Sequence, residues 1–448
     1  MNPFIFREYD IRGKADTDLT PEVVIKIGKG FGTYLINRGV KEVVVGRDVR
    51  LSSERIREEI EDGLLSTGCN VIDIGIVPTP LLYFTLSYYG KDSGVMITAS
   101  HNPKEYNGFK LCYNRMSLYG KDIQDLKRLI EEGKFSQGKG KRESLNPIPA
   151  YIPFLKEKIK LKRRMRVSMD PGNGTVGIIL EPLLKEFDIE PFLINTRPDG
   201  NFPAHLPDPT VLEYLKELRD VVLRMNTEVG IGYDGDGDRI GVIDERGEVI
   251  YGDTLVGIFA KEVLRKRPGA KIIFDVKCSQ GLVEYIESLG GTPLMYKTGH
   301  SLLKAKLREE KAPLAGEMSG HIFFADEYFG YDDAIYASLR LLQILSQDKR
   351  PLSHLVKEIP SYYSTPEIRV DCPDKMKFKI VEELKERLIS KYRVIDIDGV
   401  RVVFPDGWGL VRASNTQPAL VLRFEAKTRE RLEEIRGSIL NQLKALGV

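Results

Sequence analysis

Three consecutive stretches decide the fold: KEVVVGRD (Lys41–Asp48), SSERIREEIEDGLLSTG (Ser52–Gly68) and NVIDIGIVPTP (Asn70–Pro80). The first and third are short apolar runs rich in Val and Ile, bounded by charge, Gly or Pro, and they read as buried strands. The second spaces Ile56, Ile60 and Leu64 at helical intervals, offers Ser53 as an N-cap, and stops at Gly68. A strand, a helix and a strand in that order form a β-α-β unit, which requires a mostly parallel sheet with helices on its faces.

The same order recurs in RMRVSMDPGNGTVGIILEPLLKEF from Arg164 and in AKIIFDVKCSQGLVEYIESLG from Ala270, each a strand, a polar turn and a helix. The residues differ while the pattern repeats, so three related α/β domains are expected. From about Ser361 the character changes to short strands in meander order and a closing helix from Thr428, a smaller α+β domain. The expected division is 1–146, 147–248, 249–360 and 361–448, four domains around a central cleft. Gln137–Tyr151, rich in Gly, Lys and Pro, is the expected first linker.

Composition narrows the function. With 448 residues, 42% of them hydrophobic, the chain can bury several cores. Its 67 Lys and Arg nearly balance 65 Asp and Glu, so a net charge of +2 gives no field for gathering nucleic acid. The four cysteines show no metal-ligand spacing and read as reduced packing residues. MNPFIFREYDIRGK meets charge at Arg7 and Glu8 before a signal-peptide core forms, and no apolar run has membrane-spanning length. A soluble, cytoplasmic protein with no membrane partner is expected, with monomer and dimer both left open.

The sharpest chemical signal is IGYDGDGDRIGVIDE, where glycines alternate with Asp234, Asp236 and Asp238 and let the carboxylates converge. All-oxygen ligands suit Mg²⁺ or Ca²⁺. An EF-hand also begins D-x-D-x-D, but Arg239 stands where its glycine belongs and both flanks are strand-like. Mg²⁺ usually shares its shell with phosphate, and RASNTQPALVLRF offers a cradle in Arg412, Ser414, Asn415 and Thr416. In AGEMSGHIFF, Glu317, Ser319 and His321 alternate, so an extended backbone would aim all three to one side, toward a sugar's hydroxyls. KTGHSLLKAKL is another polar knot, holding His300. Ser100, in MITASHNPKEYNGFK, follows an apolar run at a strand end, where α/β proteins present ligand-facing groups. TASHNP lacks the G-x-S-x-G elbow of a serine hydrolase. A serine near a metal site and a phosphate cradle can instead carry a phosphoryl group.

Taken in order, EYDIRG, TASHNPKEYNGFK, DGDGDR, GEMSGH and RASNTQP resemble the α-D-phosphohexomutases, within them the phosphomannomutase/phosphoglucomutase group, over essentially the whole chain. The resemblance implies four domains around a cleft. It implies phosphoryl transfer between C1 and C6 of mannose or glucose phosphate, through phosphoserine at Ser100 and a hexose 1,6-bisphosphate that also serves as activator. Ser100 with Asp234, Asp236 and Asp238 would hold Mg²⁺. Lys110 and Arg239 would lie by the transferring group, and His321, Lys110 and Arg239 compete to handle the proton. Arg12, Lys277, His300, Glu317 and Ser319 would contact substrate, and Arg412, Ser414, Asn415 and Thr416 its other phosphate. Glucosamine phosphate mutases usually have Gln where Met318 stands and Gly where Asn415 stands, so the resemblance points to the mannose/glucose group; the amino-sugar branch is one alternative, and a non-catalytic Ca²⁺-binding module is the other. Gln417 departs from the Glu frequent in relatives.

Overall fold

The computed structural model describes residues 1–415 and 418–448. Its strands form four sheets. In the first, Glu42–Arg47, Asn70–Ile76 and Ser93–Ile97 run parallel, and Tyr106–Tyr113 adds antiparallel beside Ser93–Ile97. The opening stretch folds as read, with Val43, Val44 and Val45 all fully buried. Alternate residues serve opposite faces: Val43 and Val45 belong to one core, Val44 to another. Ser53 departs from its expected role. It is the first helical residue, and its hydroxyl donates to Asp48 at 2.6 Å instead of capping.

The second and third sheets repeat this topology. Each has a first strand (Met165–Asp170; Lys271–Asp275) flanked in parallel by the second (Ile189–Leu193; Thr292–Tyr296) and the third (Val229–Tyr233; Leu314–Gly316). The third is then paired by an antiparallel fourth (Ile240–Asp244; Ile322–Phe324). In all three, the connection from third to fourth strand carries a polar knot: residues 98–105, 234–239 and 317–321. The repeat seen as strand, turn and helix is thus a repeat of sheet order.

The expected first linker is largely structured, because Arg142–Ser144 pairs with Asn70–Ile76 and closes the first sheet, and helix Ile148–Lys158 follows. One apolar core runs unbroken from Val44 to Ile359, joining one face of the first sheet to the second and third units. Helix Thr79–Tyr88 lies inside it, with Leu81, Leu82, Tyr83, Phe84 and Leu86 buried, as a helix apolar all round must be.

The fourth sheet is antiparallel, with Ala419–Ala426 and Gly407–Ala413 at its centre. Helices Asp374–Ile389 and Arg429–Lys444 pack on it around a separate core from Cys372 to Leu443. Thr428 caps the closing helix through the Arg431 amide at 3.1 Å. Val276, Trp408 and Leu410 form a small apolar contact between third and fourth units. Around it, Arg401 donates to the Val276 and Cys278 carbonyls at 2.6 and 2.9 Å.

Candidate active site

Ser100 sits just past the strand Ser93–Ile97 with a left-handed backbone, φ 50°, uncommon without glycine and frequent where a site imposes strain. Its amide is held by the Thr98 hydroxyl at 2.9 Å. The rest of the turn is fixed from outside. The Arg50 guanidinium donates to the carbonyls of Ser100, Asn102, Pro103 and Tyr106 at 2.6 to 3.0 Å, with its Nε on Asp48.

Ser100 Oγ donates to Asp234 at 2.6 Å and lies 3.1 Å from His101 Nδ1. Asp234, Asp236 and Asp238 are fully buried, and one oxygen of each lies within 4.8 Å of the others. The glycine between the first two is required, since a side-chain carbon at Gly235 would stand 2.6 Å from the Ser100 carbonyl oxygen. Asp234 Oδ1 closes its own loop by accepting from the amides of Asp238 and Arg239. Asp236 accepts from Thr79 at 2.6 Å and Lys110 at 2.7 Å, and Lys110 also donates to Asp238. Burial pushes Asp234 well above the usual carboxylate range, and Asp238 and Asp236 push the same way. Burial works against the Lys110 charge, but Asp236 and Asp238 outweigh it and hold the ammonium more firmly than an ordinary lysine.

Three buried carboxylates against one contacting ammonium leave negative charge to be balanced, and among the described residues nothing donates a hydrogen bond to Asp236 Oδ1 or Asp238 Oδ1. Oxygen donors with free, buried lone pairs fit a hard divalent cation.

Glu317, Ser319 and His321 are in a tight turn and not an extended run: the Glu317 amide donates to the His321 carbonyl at 2.9 Å, and Gly320 has φ 91°. The outcome is a division of labour. Glu317 accepts from the Gly299 amide at 3.0 Å and the Ser319 hydroxyl at 2.9 Å, while His321 turns to the carboxylate loop, where its Nε2 accepts from Arg239 Nε at 2.9 Å. Burial raises the Glu317 carboxyl above its usual range. His300, at the first turn of helix His300–Glu310, stacks on His321 at 5.4 Å, and burial and Lys304 together push its imidazole well down, so it stays neutral.

In the fourth unit, Arg412 donates to Asp398 at 2.9 Å, and the same carboxylate oxygen accepts from the Thr298 amide at 3.0 Å. Asn415 donates to the Tyr9 hydroxyl at 2.6 Å, which donates to the Thr298 carbonyl at 2.6 Å. Lys277 lies 3.3 Å from Glu367 and 3.7 Å from Asp275. Arg12 donates to Asn102 at 2.9 Å and Asp10 at 2.6 Å. Thr416 and Gln417 lie outside the described residues.

A cleft of about 470 Å³, within the usual range for small-molecule sites, brings together Arg12, His101, Arg239, Lys277, His300, Glu317, Ser319, His321, Arg412, Ser414 and Asn415. Ser100, Lys110 and the three aspartates do not line it. They lie beneath its wall, reached through His101 and Arg239. Sequence reasoning missed Tyr9, Arg50, Lys304, Asp332 and Asp398. A pair of adjacent acids before a helix, Asp332 and Asp333, was the one local signal available; the others join the site only through packing.

Known proteins agree with this layout over nearly the whole chain. Phosphoglucomutase/phosphomannomutase family models match as α/β/α domain I at residues 3–137, domain II at 149–247, domain III at 251–363 and the C-terminal domain at 367–442. A phosphomannomutase/phosphoglucomutase of Pseudomonas aeruginosa is 46% identical over 443 residues, covering 99% of this chain and 96% of its own. A phosphoglucomutase of Neisseria gonorrhoeae is 41% identical, with 99% and 96% covered. The crystal structure of a phosphoglucomutase/phosphomannomutase family protein from Burkholderia thailandensis superposes with a TM-score of 0.93 at 42% identity, covering 99% of this chain and 97% of that one. Identity of that depth across all four units places the chain in the α-D-phosphohexomutase family, among its phosphoglucomutases and phosphomannomutases.

Proposed function

We propose that the chain interconverts the 1- and 6-phosphates of mannose or glucose, with Ser100 as phosphoryl carrier and a hexose 1,6-bisphosphate as intermediate and activator. The observation that carries this reading is the Ser100 hydroxyl, bonded at 2.6 Å to a buried carboxylate cluster beside a cleft that also bears Lys277 and Arg412. Phosphoryl transfer asks for positioning and charge neutralisation more than covalent help, and this site is built of both.

In this reading Asp234, Asp236, Asp238 and phosphorylated Ser100 hold Mg²⁺. Bound there, Mg²⁺ would offset charge on the phosphoryl group and the serine oxygen. Arg239 and Arg12 steady the phosphoryl group from the cleft side, and Glu317 and Ser319 grip ring hydroxyls. Lys277, His300, Arg412, Ser414, Asn415 and Thr416 hold the phosphate that is not moving. Lys110 is committed to two carboxylates, and Arg239 is a fixed cation. His321 therefore takes the proton of the attacking sugar hydroxyl. Ser100 leaves as its oxyanion and returns as nucleophile in the second half, so His321 gives that proton back to the departing sugar oxygen. The intermediate must turn end for end, which asks the fourth unit to open and close. Domain limits at 146, 248 and 360 belong to this reading, as does a cytoplasmic setting, in keeping with four buried, unpaired cysteines. Among the described residues no helix is long and apolar enough to cross a membrane.

The test is ³¹P NMR of the protein with Mg²⁺, a trace of glucose 1,6-bisphosphate and, separately, mannose, glucose and glucosamine 1-phosphates. Conversion of the first two to 6-phosphates is expected. Conversion of glucosamine 1-phosphate alone would move the chain to the amino-sugar branch, and release of inorganic phosphate alone would overturn the mutase reading.

A further inference from the structure

We propose that Asp332 is a positioning residue for the reaction, holding the His321 ring with its proton on Nδ1 and its lone pair on Nε2, toward Arg239. The inference rests on the reading of His321 as the proton-handling group and deepens it.

Asp332 is fully buried, with Oδ2 at 2.9 Å from His321 Nδ1, an ion-pair approach not aligned as a hydrogen bond, and 3.7 Å from His300 Nδ1, and with Oδ1 at 3.0 Å from Lys304 Nζ; the same His321 Nδ1 lies farther, 3.6 Å, from Asp238 Oδ1. Lys304 in turn sits 4.1 Å over the Tyr83 ring. The carboxylate is placed by its neighbour. Asp333 Oδ1 caps helix Ala334–Gln347 through the Tyr336 amide at 2.9 Å, and its Oδ2 accepts from Tyr151 and Tyr328 at 2.7 Å each. The helix's first amide, Ala334, donates to the Gly237 carbonyl at 3.2 Å, so one backbone turn registers Asp332 against the carboxylate loop.

The tautomer follows from donor chemistry. A guanidinium can only donate, so the 2.9 Å approach of Arg239 Nε requires a lone pair on His321 Nε2. A neutral ring then carries its proton on Nδ1, beside Asp332. The same logic decides against a rival use of this cluster. Asp238, His321 and Asp332 also lie close enough to share a cation, within 4.8 Å. A cation on Nδ1 would force Nε2–H against the Arg239 N–H, two donors face to face. An Asp–His pair instead keeps the Nδ1 proton in place, so that Nε2 becomes the basic nitrogen, and an imidazolium is tolerated there, once Arg239 swings from Nε2 to the phosphoryl group.

The experiment uses full-length protein labelled with ¹⁵N-histidine; long-range ¹H–¹⁵N spectra resolve five histidines at most, and His321→Gln assigns one. His321 is expected in the Nδ1–H form. Asp332→Asn is expected to lower kcat by about 10- to 100-fold, with KM within about threefold, and Asp332→Glu to recover part of the loss. An Nε2–H ring in the wild type, or Asp332→Asn with kcat within about twofold of wild type, would overturn the proposal. If Asp332→Asn does not fold, the wild-type tautomer still decides. A wild type with no mutase activity would sink the functional reading and leave the ring assignment standing.

Discussion

The first three units and the fourth are held together by different means. A single apolar core passes through the first three, and their polar loops bond directly to one another: Ser100 to Asp234, Thr79 and Lys110 to Asp236, Arg239 to His321. The fourth unit has its own core and meets the rest through the small Trp408 contact and a set of polar links, among them Arg401 to the Val276 and Cys278 carbonyls, Asp398 to the Thr298 amide and Asn415 to Tyr9. Chemistry that needs sub-ångström placement sits in the fused part. Arg412, Ser414 and Asn415 of the phosphate grip sit in the fourth unit, whose apolar contact with the rest is small. Damage to the fused part should therefore strike kcat, and damage to the fourth unit should strike KM or domain stability.

The largest effect belongs to Ser100→Ala, expected to cost more than about 10³-fold in kcat with melting unchanged; substantial residual turnover in a clean preparation would break the assignment. Next is Trp408→Ala. Removing a buried ring that also lies 3.7 Å under the Arg401 guanidinium should destabilise the fourth unit by about 3–5 kcal/mol. Calorimetry should then show that unit melting ahead of the other three, and a single undivided transition would mean the two parts are fused after all.

A pH series sharpens the contrast from the other side. Burial raises the Asp333 carboxyl to about 6, against the hydrogen bonds of Tyr336, Tyr151 and Tyr328, from an ordinary value of 3.8. A raised folded value means that stability is fully present below the unfolded value and is lost as pH climbs through about 6. Wild type should thus lose about 3 kcal/mol relative to Asp333→Asn between pH 4 and 7, in the transition of the first three units only. Arg412→Ala should raise KM about 10- to 100-fold with little change in kcat. The smallest effect is expected of Asn415→Ala, which removes one link to Tyr9 worth about 0.5–1.5 kcal/mol and should weaken substrate binding only slightly.

What could be read in the sequence was what lies close along the chain. The three aspartates of DGDGDR converge because glycines separate them, and the strand alternation in VVV sorts Val44 from its neighbours without tertiary help. The Glu317–His321 run was legible as a site but not in shape, since period-two spacing looks alike in a strand and in a turn that Gly320 alone permits. Asp332, Lys304 and Arg50 were invisible because their partners come from other elements: Arg50 reaches residues 100 to 106, and Asp332 meets His321 of the 317–321 turn and Lys304 of helix His300–Glu310. Ordinary charged residues acquire such roles only when the fold closes.

Arg50 has a consequence for inheritance. Because it grasps four main-chain oxygens and no side chain of the serine loop, the curvature of residues 100–106 is written at position 50. Side chains of the loop that make no bond of their own, unlike Thr98 and Asn102, can be exchanged while its trajectory is preserved, whereas one substitution at the distant arginine would release it.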